Sequence, residues 1–266
     1  MAVRESFVRL KAVLWLHTLR LWRYRYSFLN MILSEAAWIF MFVLGALLFV
    51  PSERLGVAVK GAFWTIVAWS FVSNFSSLVG GWMNFFISIG MVEEHLVRGF
   101  SPFRTLLGRV VTGLSVVVAS LLFMAALVGG AFHVDLLRTE RLWLLLAGMG
   151  LLAVQSLSYG FTVASIAVRT SVPNNLLDIL DGVVIGLLMV PVQALPEALR
   201  LIFLCIPYVA PAHLVKLATG AGEGLEYSAL AIAGVEALVM AVVAAWATKW
   251  AIRWIRRNGV RAIGFW

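Results

Sequence analysis

The sequence predicts an all-α integral membrane protein that crosses the bilayer six times. Of its 266 residues, 62% are hydrophobic and only 13% are charged, whereas soluble domains are nearer half apolar and a quarter charged. Eleven tryptophans and seventeen phenylalanines are typical of membrane proteins, whose aromatic rings gather at the level of the headgroups. A soluble fold of this size could not bury so much apolar surface, so lipid is the expected solvent.

Six apolar stretches are each long enough to span about 30 Å of hydrocarbon at about 1.5 Å per residue. They cover residues 28–50, 61–87, 110–132, 142–168, 176–191 and 228–250. The first is expected to be retained as an anchor, because no small-residue cleavage site follows it. The fifth is the weakest, since Asp178 and Asp181 lie inside it and Pro191 ends it.

A further apolar segment, residues 195–215, contains Pro196, Pro207 and Pro211. Each proline removes a backbone donor, so a straight spanning helix is not expected there. We predict a re-entrant external hairpin within residues 192–227. The competing interpretation is a seventh span, which would put the C-terminus outside.

The distribution of lysine and arginine favours six spans with both termini in the cytoplasm. Fifteen of these residues then lie inside: Arg4, Arg9, Lys11, Arg20, Arg23, Arg25, Arg98, Arg104, Arg109, Arg169, Lys249, Arg253, Arg256, Arg257 and Arg261. Six lie outside: Arg54, Lys60, Arg138, Arg141, Arg200 and Lys216. A seventh span would nearly erase the bias that sets orientation. The chain is therefore predicted to be a multi-pass membrane protein with this orientation, and the membrane is expected to be the plasma membrane.

Residues 1–27 are predicted to form an amphipathic helix on the cytoplasmic membrane surface. Its apolar side would carry Phe7, Leu10, Leu14 and Leu21, and its basic side Arg9, Arg20 and Arg23. Basic side chains of such a helix lie near anionic headgroups. A simple basic flank to the first span is the alternative.

Several kinds of chemistry have no signature in this sequence. None of the four lysines follows a glycine, so there is no Walker A loop for ATP. The four histidines and the single cysteine, Cys205, have no close partners of metal-ligand spacing, and no G-x-S-x-G or H-E-x-x-H motif is present. The net charge of +8 comes from the termini and one loop, which does not favour nucleic acid. We expect no catalytic residue, no metal and no bound cofactor in this chain.

Four acidic residues lie inside apolar stretches: Glu35, Asp178, Asp181 and Glu236. A charge at the bilayer centre costs roughly 2.5–3.5 kcal/mol on insertion scales, so such residues are functional candidates. Each could instead pair structurally, and the two aspartates could also reach water from the cytoplasmic end of their span.

Polar side chains recur at helical spacing in the second and fourth stretches. The candidates for a translocation path are Ser70, Ser73, Ser77, Asn84, Gln155, Tyr159 and Thr162. In lipid such a stripe must face protein or water. Close helix packing through small residues is the alternative explanation.

The loop of residues 88–108 has an acidic start, Glu93 and Glu94. Residues 92–98, which include both acids, could form a short helix that stops at Gly99. It continues with Ser101-Pro102, Arg104 and Leu106-Leu107-Gly108-Arg109. This loop could dock a cytoplasmic partner or could be an ordinary solvated turn.

Together these features resemble the permease subunit of an ABC-2 type (type V) ABC exporter. The resemblance lies in the basic entry Leu19-Arg20-Leu21-Trp22-Arg23-Tyr24-Arg25-Tyr26-Ser27-Phe28-Leu29, in the loop just described, and in the proline-rich segment with Ile206-Pro207-Tyr208. It covers nearly the whole chain as one transmembrane domain, residues 1–266. The loop is shorter than in the family, and Leu96 and Gly99 are the possible counterparts of the family's Gly-Thr-Leu-Glu-like stretch.

The resemblance implies that this chain is not itself an enzyme. Two ATP-binding cassette subunits, carrying ATP and Mg, would associate with it and with a second permease copy or a paralogue. Their docking residues would be Glu93, Glu94, Leu96, Gly99, Ser101, Pro102 and Arg104. An amphipathic or lipid-linked substrate would then be moved out of the cytoplasm.

Two other functions remain open. An ion-coupled secondary transporter or channel would use the intramembrane carboxylates and need no ATPase, although no inverted repeat is evident. An intramembrane enzyme acting on lipid would need clustered acid, base or metal residues, for which Asp178 and Asp181 are the one candidate pair.

Overall fold

The computed structural model describes residues 22–47, 55–170 and 174–259, with a few isolated positions before residue 22. Every regular element in these ranges is helical. The helices are α1 (Arg25–Leu47), α2 (Leu55–Ser88), α3 (Met91–Val97), α4 (Pro102–Phe132), α5 (Leu142–Ala167), α6 (Asn174–Met189), α7 (Glu197–Leu204), α8 (Val209–Ala218) and α9 (Glu226–Asn258), with a 3-10 turn at Val192–Ala194. The predicted surface helix, residues 1–27, lies almost wholly outside the described residues.

Four of the described helices are long and apolar enough to cross a membrane: α2, α4, α5 and α9. The α7–α8 pair, bent by 109°, adds a fifth if it counts as one span. The prediction of an all-helical, membrane-embedded chain is confirmed at this level, and the number six stays a prediction. α6 has 16 residues, which at about 1.5 Å per residue is shorter than a typical hydrocarbon core.

Three of the long helices run in the same direction side by side. Arg141 and Glu226, at the starts of α5 and α9, form an ion pair, and Arg169 near the end of α5 lies over the ring of Trp250 near the end of α9. α2 runs in the same direction as α5, since Ser76 lies against Gly160 and Gly80, one turn further on, lies against Val163. The end of the molecule that carries α3 is called the α3 end below, and the other is called the hairpin end.

The close contact between α2 and α5 depends on glycine. A Cβ atom added to Gly160 would lie 3.0 Å from the Cβ of Val79, and one added to Gly80 would lie 3.0 Å from Val163. Small residues at a crossing let two backbones approach within a membrane, where van der Waals packing drives helix association. This crossing sets the relative position of α2 and α5, which together line the polar cavity described below.

The bend of the α7–α8 pair is buried on one side, since Tyr208 and Val209 are buried whereas Cys205 and Pro207 are exposed. Tyr208 precedes α8 with φ 72°, and Pro211 lies in the first turn of α8, where its missing N–H has no intrahelical role. α8 is largely buried and packs on α5, α9 and α2. It runs antiparallel to the first half of α5, from Gln155 beside Tyr208 to Glu140, whose amide donates to Ala218 O at 2.9 Å.

Candidate functional site

A polar cavity of about 400 Å³ lies between α2, α5 and α6. It is lined by Ser73, Ser76, Ser77, Gly81, Tyr159, Val163, Leu177, Asp178 and Asp181. The residues come from three features that the sequence presents separately: the polar stripes of the second and fourth apolar stretches, and the acidic pair of the fifth. Their convergence makes this cavity the strongest candidate functional site in the described part of the chain.

Asp181 joins two of the cavity walls. The Ser73 hydroxyl donates to its Oδ2 at 2.7 Å, and Trp69 Nε1 donates to its backbone oxygen at 3.1 Å. Both contacts connect α2 to α6. Asp181 is half-buried and Asp178, on the same face one turn nearer the α3 end, is exposed. Neither aspartate forms an ion pair with a residue that the structure describes, so pairing with arginine does not account for them within that part.

Tyr159 closes the cavity on the α5 side. Its hydroxyl oxygen is buried and has no hydrogen-bond partner among the described residues. Leaving a buried hydroxyl unpaired costs about 1–3 kcal/mol. Any acceptor that enters the cavity and reaches this hydroxyl would recover that free energy.

Gln155 lies one turn from Tyr159 on the same face of α5 and is fully buried. Its Oε1 accepts the backbone N–H of Tyr208 at 2.9 Å. Its Nε2 lies 3.3 Å from Ala233 O and 3.2 Å from Glu236 Oε2, both on α9. One amide therefore ties the bend of the α7–α8 pair to α5 and α9, and it supplies Glu236 with a neutral structural partner.

The other predicted path residues lie outside the cavity. Ser70 is buried and contacts Asn74 Nδ2 at 3.1 Å, and Thr162 donates to Ser158 O in its own helix at 2.9 Å. Asn84 is half-buried near the α3 end of α2. Glu35 belongs to α1, but its side chain lies outside the described residues. A path role for these residues stays a prediction.

The predicted docking loop forms the short helix α3, which is fixed to the body on one side. Val92 is buried, and the ring of His95 stacks on Phe86 with centroids 5.8 Å apart. Gly90 and Gly99 bound the helix with φ 73° and 72°, which L side chains rarely adopt. A glycine of left-handed conformation on each side of α3 therefore lets the chain change direction between α2 and α4.

The outer surface of α3 is acidic. Glu93 and Glu94 are exposed, and Glu94 pairs with Arg98 at 2.6 Å. Gly99 and Arg104 are also exposed, Leu96 and Ser101 are partly buried, and Pro102 is buried as the first residue of α4. Pro102 thus begins a helix, so a partner could contact it only indirectly.

Sequence reasoning missed several of these residues. Ser76 lines the cavity although the predicted stripe omits it. It lies three residues after Ser73 and next to Ser77, and this spacing could have indicated that it shares their side of the helix. Val163 and Leu177 form the apolar part of the lining and look like ordinary core residues in sequence. No pattern in the sequence indicates that Gln155 contacts the bend at Tyr208.

Within the described ranges, no group of three His, Cys, Asp or Glu residues is arranged to hold a metal ion. No model of a known protein family matches the sequence, and no curated protein matches it.

Proposed function

We propose that this chain is the permease subunit of an ABC-2 type exporter. It would move an amphipathic or lipid-linked substrate out of the cytoplasm, using ATP hydrolysed with Mg on a separate subunit. In this proposal α1 and α6 join the four long apolar helices as six spans of a single transmembrane domain in the plasma membrane. The α7–α8 pair is the external re-entrant hairpin, and both termini are cytoplasmic.

The observation that supports this function most directly is α3. A transporter powered by a separate ATPase needs a rigid cytoplasmic element that transmits force to the spans. α3 connects the ends of α2 and α4, is anchored by Val92 and His95, and exposes Glu93 and Glu94. A simple solvated turn would not need the buried anchor of Val92 and His95.

Basic residues favour the cytoplasmic position of the α3 end. That end carries Arg98, Arg104, Arg169, Arg253, Arg256 and Arg257 in the described ranges. The positive-inside rule predicts that such an end faces the cytoplasm. Two ATP-binding subunits would then contact two permeases, this chain and a second copy or paralogue.

The test is co-expression with candidate ATP-binding subunits, beginning with the one encoded nearest to this chain. The complex is purified through a tag on the permease, and the stoichiometry and ATPase activity are measured. We expect equal numbers of the two subunits and measurable hydrolysis. The Glu93→Ala/Glu94→Ala variant should recover less ATPase subunit or lose coupling. The matched control is Glu197→Ala/Glu223→Ala, which removes two exposed acids at the hairpin end and should behave as wild type.

Failure of every candidate ATPase to bind the folded chain would overturn this proposal. Equal recovery of the ATPase with both double variants would be consistent with an exporter. It would show that Glu93 and Glu94 are not its docking groups. Size-exclusion profiles of each variant show whether the permease itself is intact.

An ion-coupled transporter is the second candidate, and one observation favours it. Asp181 lies in the cavity with Ser73 as its hydrogen-bond donor and without an ion-pair partner among the described residues. Such a carboxylate can bind and release a cation or a proton. Transport into liposomes without any ATPase, driven by a sodium or proton gradient and lost in Asp181→Asn, would select this function instead.

A further inference from the structure

We propose that the cavity between α2, α5 and α6 binds an amphipathic organic cation, such as an amine or a guanidine with an apolar body. The cavity includes Asp178, Asp181, Ser73, Ser76 and Tyr159. The site stands on its own geometry. That the bound cation is the exported substrate rests on the proposed function.

The charge of the lining favours a cation. Asp178 and Asp181 both face the cavity, and no Lys, Arg or His belongs to the lining that the described residues form. Neither carboxylate has an ion-pair partner in the same part of the chain. Ionisable groups within a membrane are normally paired, so a bound cation would supply the partner that the described helices do not.

The hydrogen-bonding groups agree with the charge. Ser73 donates its hydroxyl proton to Asp181 Oδ2 at 2.7 Å, and Ser76 donates its own to Val72 O at 2.6 Å. Both serine oxygens therefore offer only their lone pairs to the cavity. With two carboxylates beside them, acceptors outnumber donors in the lining, where the hydroxyls of Ser77 and Tyr159 are the remaining donors. A ligand rich in N–H groups or positive charge suits this lining, and a phosphate or carboxylate ligand does not.

Size and apolar surface separate an organic cation from a bare ion. The volume of about 400 Å³ falls within the roughly 300–1,000 Å³ of pockets that hold drug-sized molecules. A metal ion needs oxygen ligands about 2.0–2.6 Å away on several sides, whereas the described lining offers two carboxylates and no group of three metal-ligating side chains. Val163 and Leu177, with the ring of Tyr159, offer apolar surface to the body of the ligand.

The experiment measures binding of radiolabelled tetraphenylphosphonium to the purified full chain in nanodiscs of uncharged lipid. Tetraphenylborate, which has nearly the same shape and the opposite charge, is the comparison ligand. We expect saturable binding of the cation and, in separate samples, no saturable binding of the anion. The Asp178→Asn/Asp181→Asn variant should bind at least about tenfold more weakly, because two charges next to the ligand are removed. Glu223→Gln, which removes an exposed acid at the hairpin end, should bind as wild type.

A second variant guards against misfolding of the double mutant. Ser77 is exposed on the cavity lining, and Ser77→Lys places an ammonium group there; it should abolish binding of the cation. Unchanged affinity in both variants, or equal binding of the two probe ions by wild type, would overturn the inference. The variants are also tested for co-purification with the ATPase subunit. Cation binding by a chain that forms no complex with any ATPase would refute the proposed exporter function and support the cation site. An ATPase complex without charge-selective binding would support the exporter function and refute the cation site.

Discussion

The side-chain oxygen of Gln155 accepts the backbone N–H of Tyr208 at a distance of 2.9 Å. Tyr208 is the last residue before α8 and has a left-handed φ of 72°. Its amide has no partner within α8, because the first N–H groups of a helix lack intrahelical acceptors. The side chain of Gln155 therefore supplies the acceptor that the Tyr208 amide lacks at the bend of the α7–α8 pair. Gln155 lies about halfway along α5, a helix of membrane-spanning length.

Replacing Gln155 with leucine should lower the thermal stability of the protein. The change leaves the buried Tyr208 amide without its acceptor and Glu236 without its donor, at a cost of about 1–3 kcal/mol for each unsatisfied group. The thermal midpoint of the purified protein in detergent measures this. Gln193→Leu is the control, since Gln193 lies half-buried on the 3-10 turn and its replacement makes the same change in volume and polarity. Equal midpoints for the two variants would contradict the role given to Gln155.

Adding one methyl group at Gly160 should separate α2 from α5. The new Cβ would lie 3.1 Å from the backbone oxygen of Ser76 as well as 3.0 Å from Val79, and backbone cannot yield as a flexible side chain can. Overpacking of this kind costs about 1–3 kcal/mol. Gly150→Ala, in the same helix with nothing within 4 Å of its added Cβ, should be neutral or slightly stabilising. Thermal midpoints of the two variants check the prediction, and a Gly160→Ala protein as stable as wild type would refute it.

Replacing Trp64 with phenylalanine should destabilise the hairpin end. Trp64 is buried, and its Nε1 donates to the backbone oxygen of Leu136 at 3.0 Å, holding the loop between α4 and α5 against α2. The substitution keeps an aromatic ring and leaves a buried carbonyl without this donor, which costs about 1–3 kcal/mol. Hydrogen exchange of residues 134–140 should accelerate. Trp143→Phe at an exposed site on α5 is the control, and similar exchange in both variants would argue against the contact.

The sequence is most informative where lipid imposes long apolar helices. The predicted stretch 142–168 agrees closely with α5, since a membrane span must satisfy its backbone internally. The stretch 110–132 ends where α4 ends, but α4 begins eight residues earlier, at Pro102, within the predicted loop. The sequence is less informative about ends: α9 continues to Asn258, well past the apolar stretch, because arginines extend a helix as readily as leucines do. The break near Pro207 follows from the missing donors of proline, but the contact of the buried Tyr208 with Gln155 depends on tertiary packing that no local pattern encodes.

The cavity shows the same division between local and tertiary information. Ser73 and Ser77 are recognisable as a stripe and Asp181 as an acid inside an apolar stretch, each from the cost of polar groups in lipid. Which stripe faces which acid depends on the rotation of α2, α5 and α6 about their axes. That rotation is set by packing at contacts such as Gly80 with Val163, between residues that are far apart in sequence.

The polar cavity and the apolar outer face of α4 should differ in their access to water. Ser77 lies on the cavity lining, whereas Leu122 is an exposed apolar residue of α4 that faces lipid in the membrane-spanning arrangement. In a Cys205→Ser background, Ser77→Cys should react with a charged, membrane-impermeant thiol reagent, because only a hydrated thiol ionises to the reactive thiolate. Leu122→Cys should react many times more slowly.

The side of the membrane from which Ser77→Cys is labelled also tests the orientation. In the proposed topology the cavity lies toward the α3 end, so the reagent should act from the cytoplasmic side, in inside-out vesicles, and not on intact cells. Glu223→Cys, at an exposed position of the hairpin end, is the opposite control and should be labelled on intact cells. Labelling of Ser77→Cys only from outside would reverse the topology and with it the docking role of α3. Equally slow labelling of Ser77→Cys and Leu122→Cys would show that the cavity is closed to water.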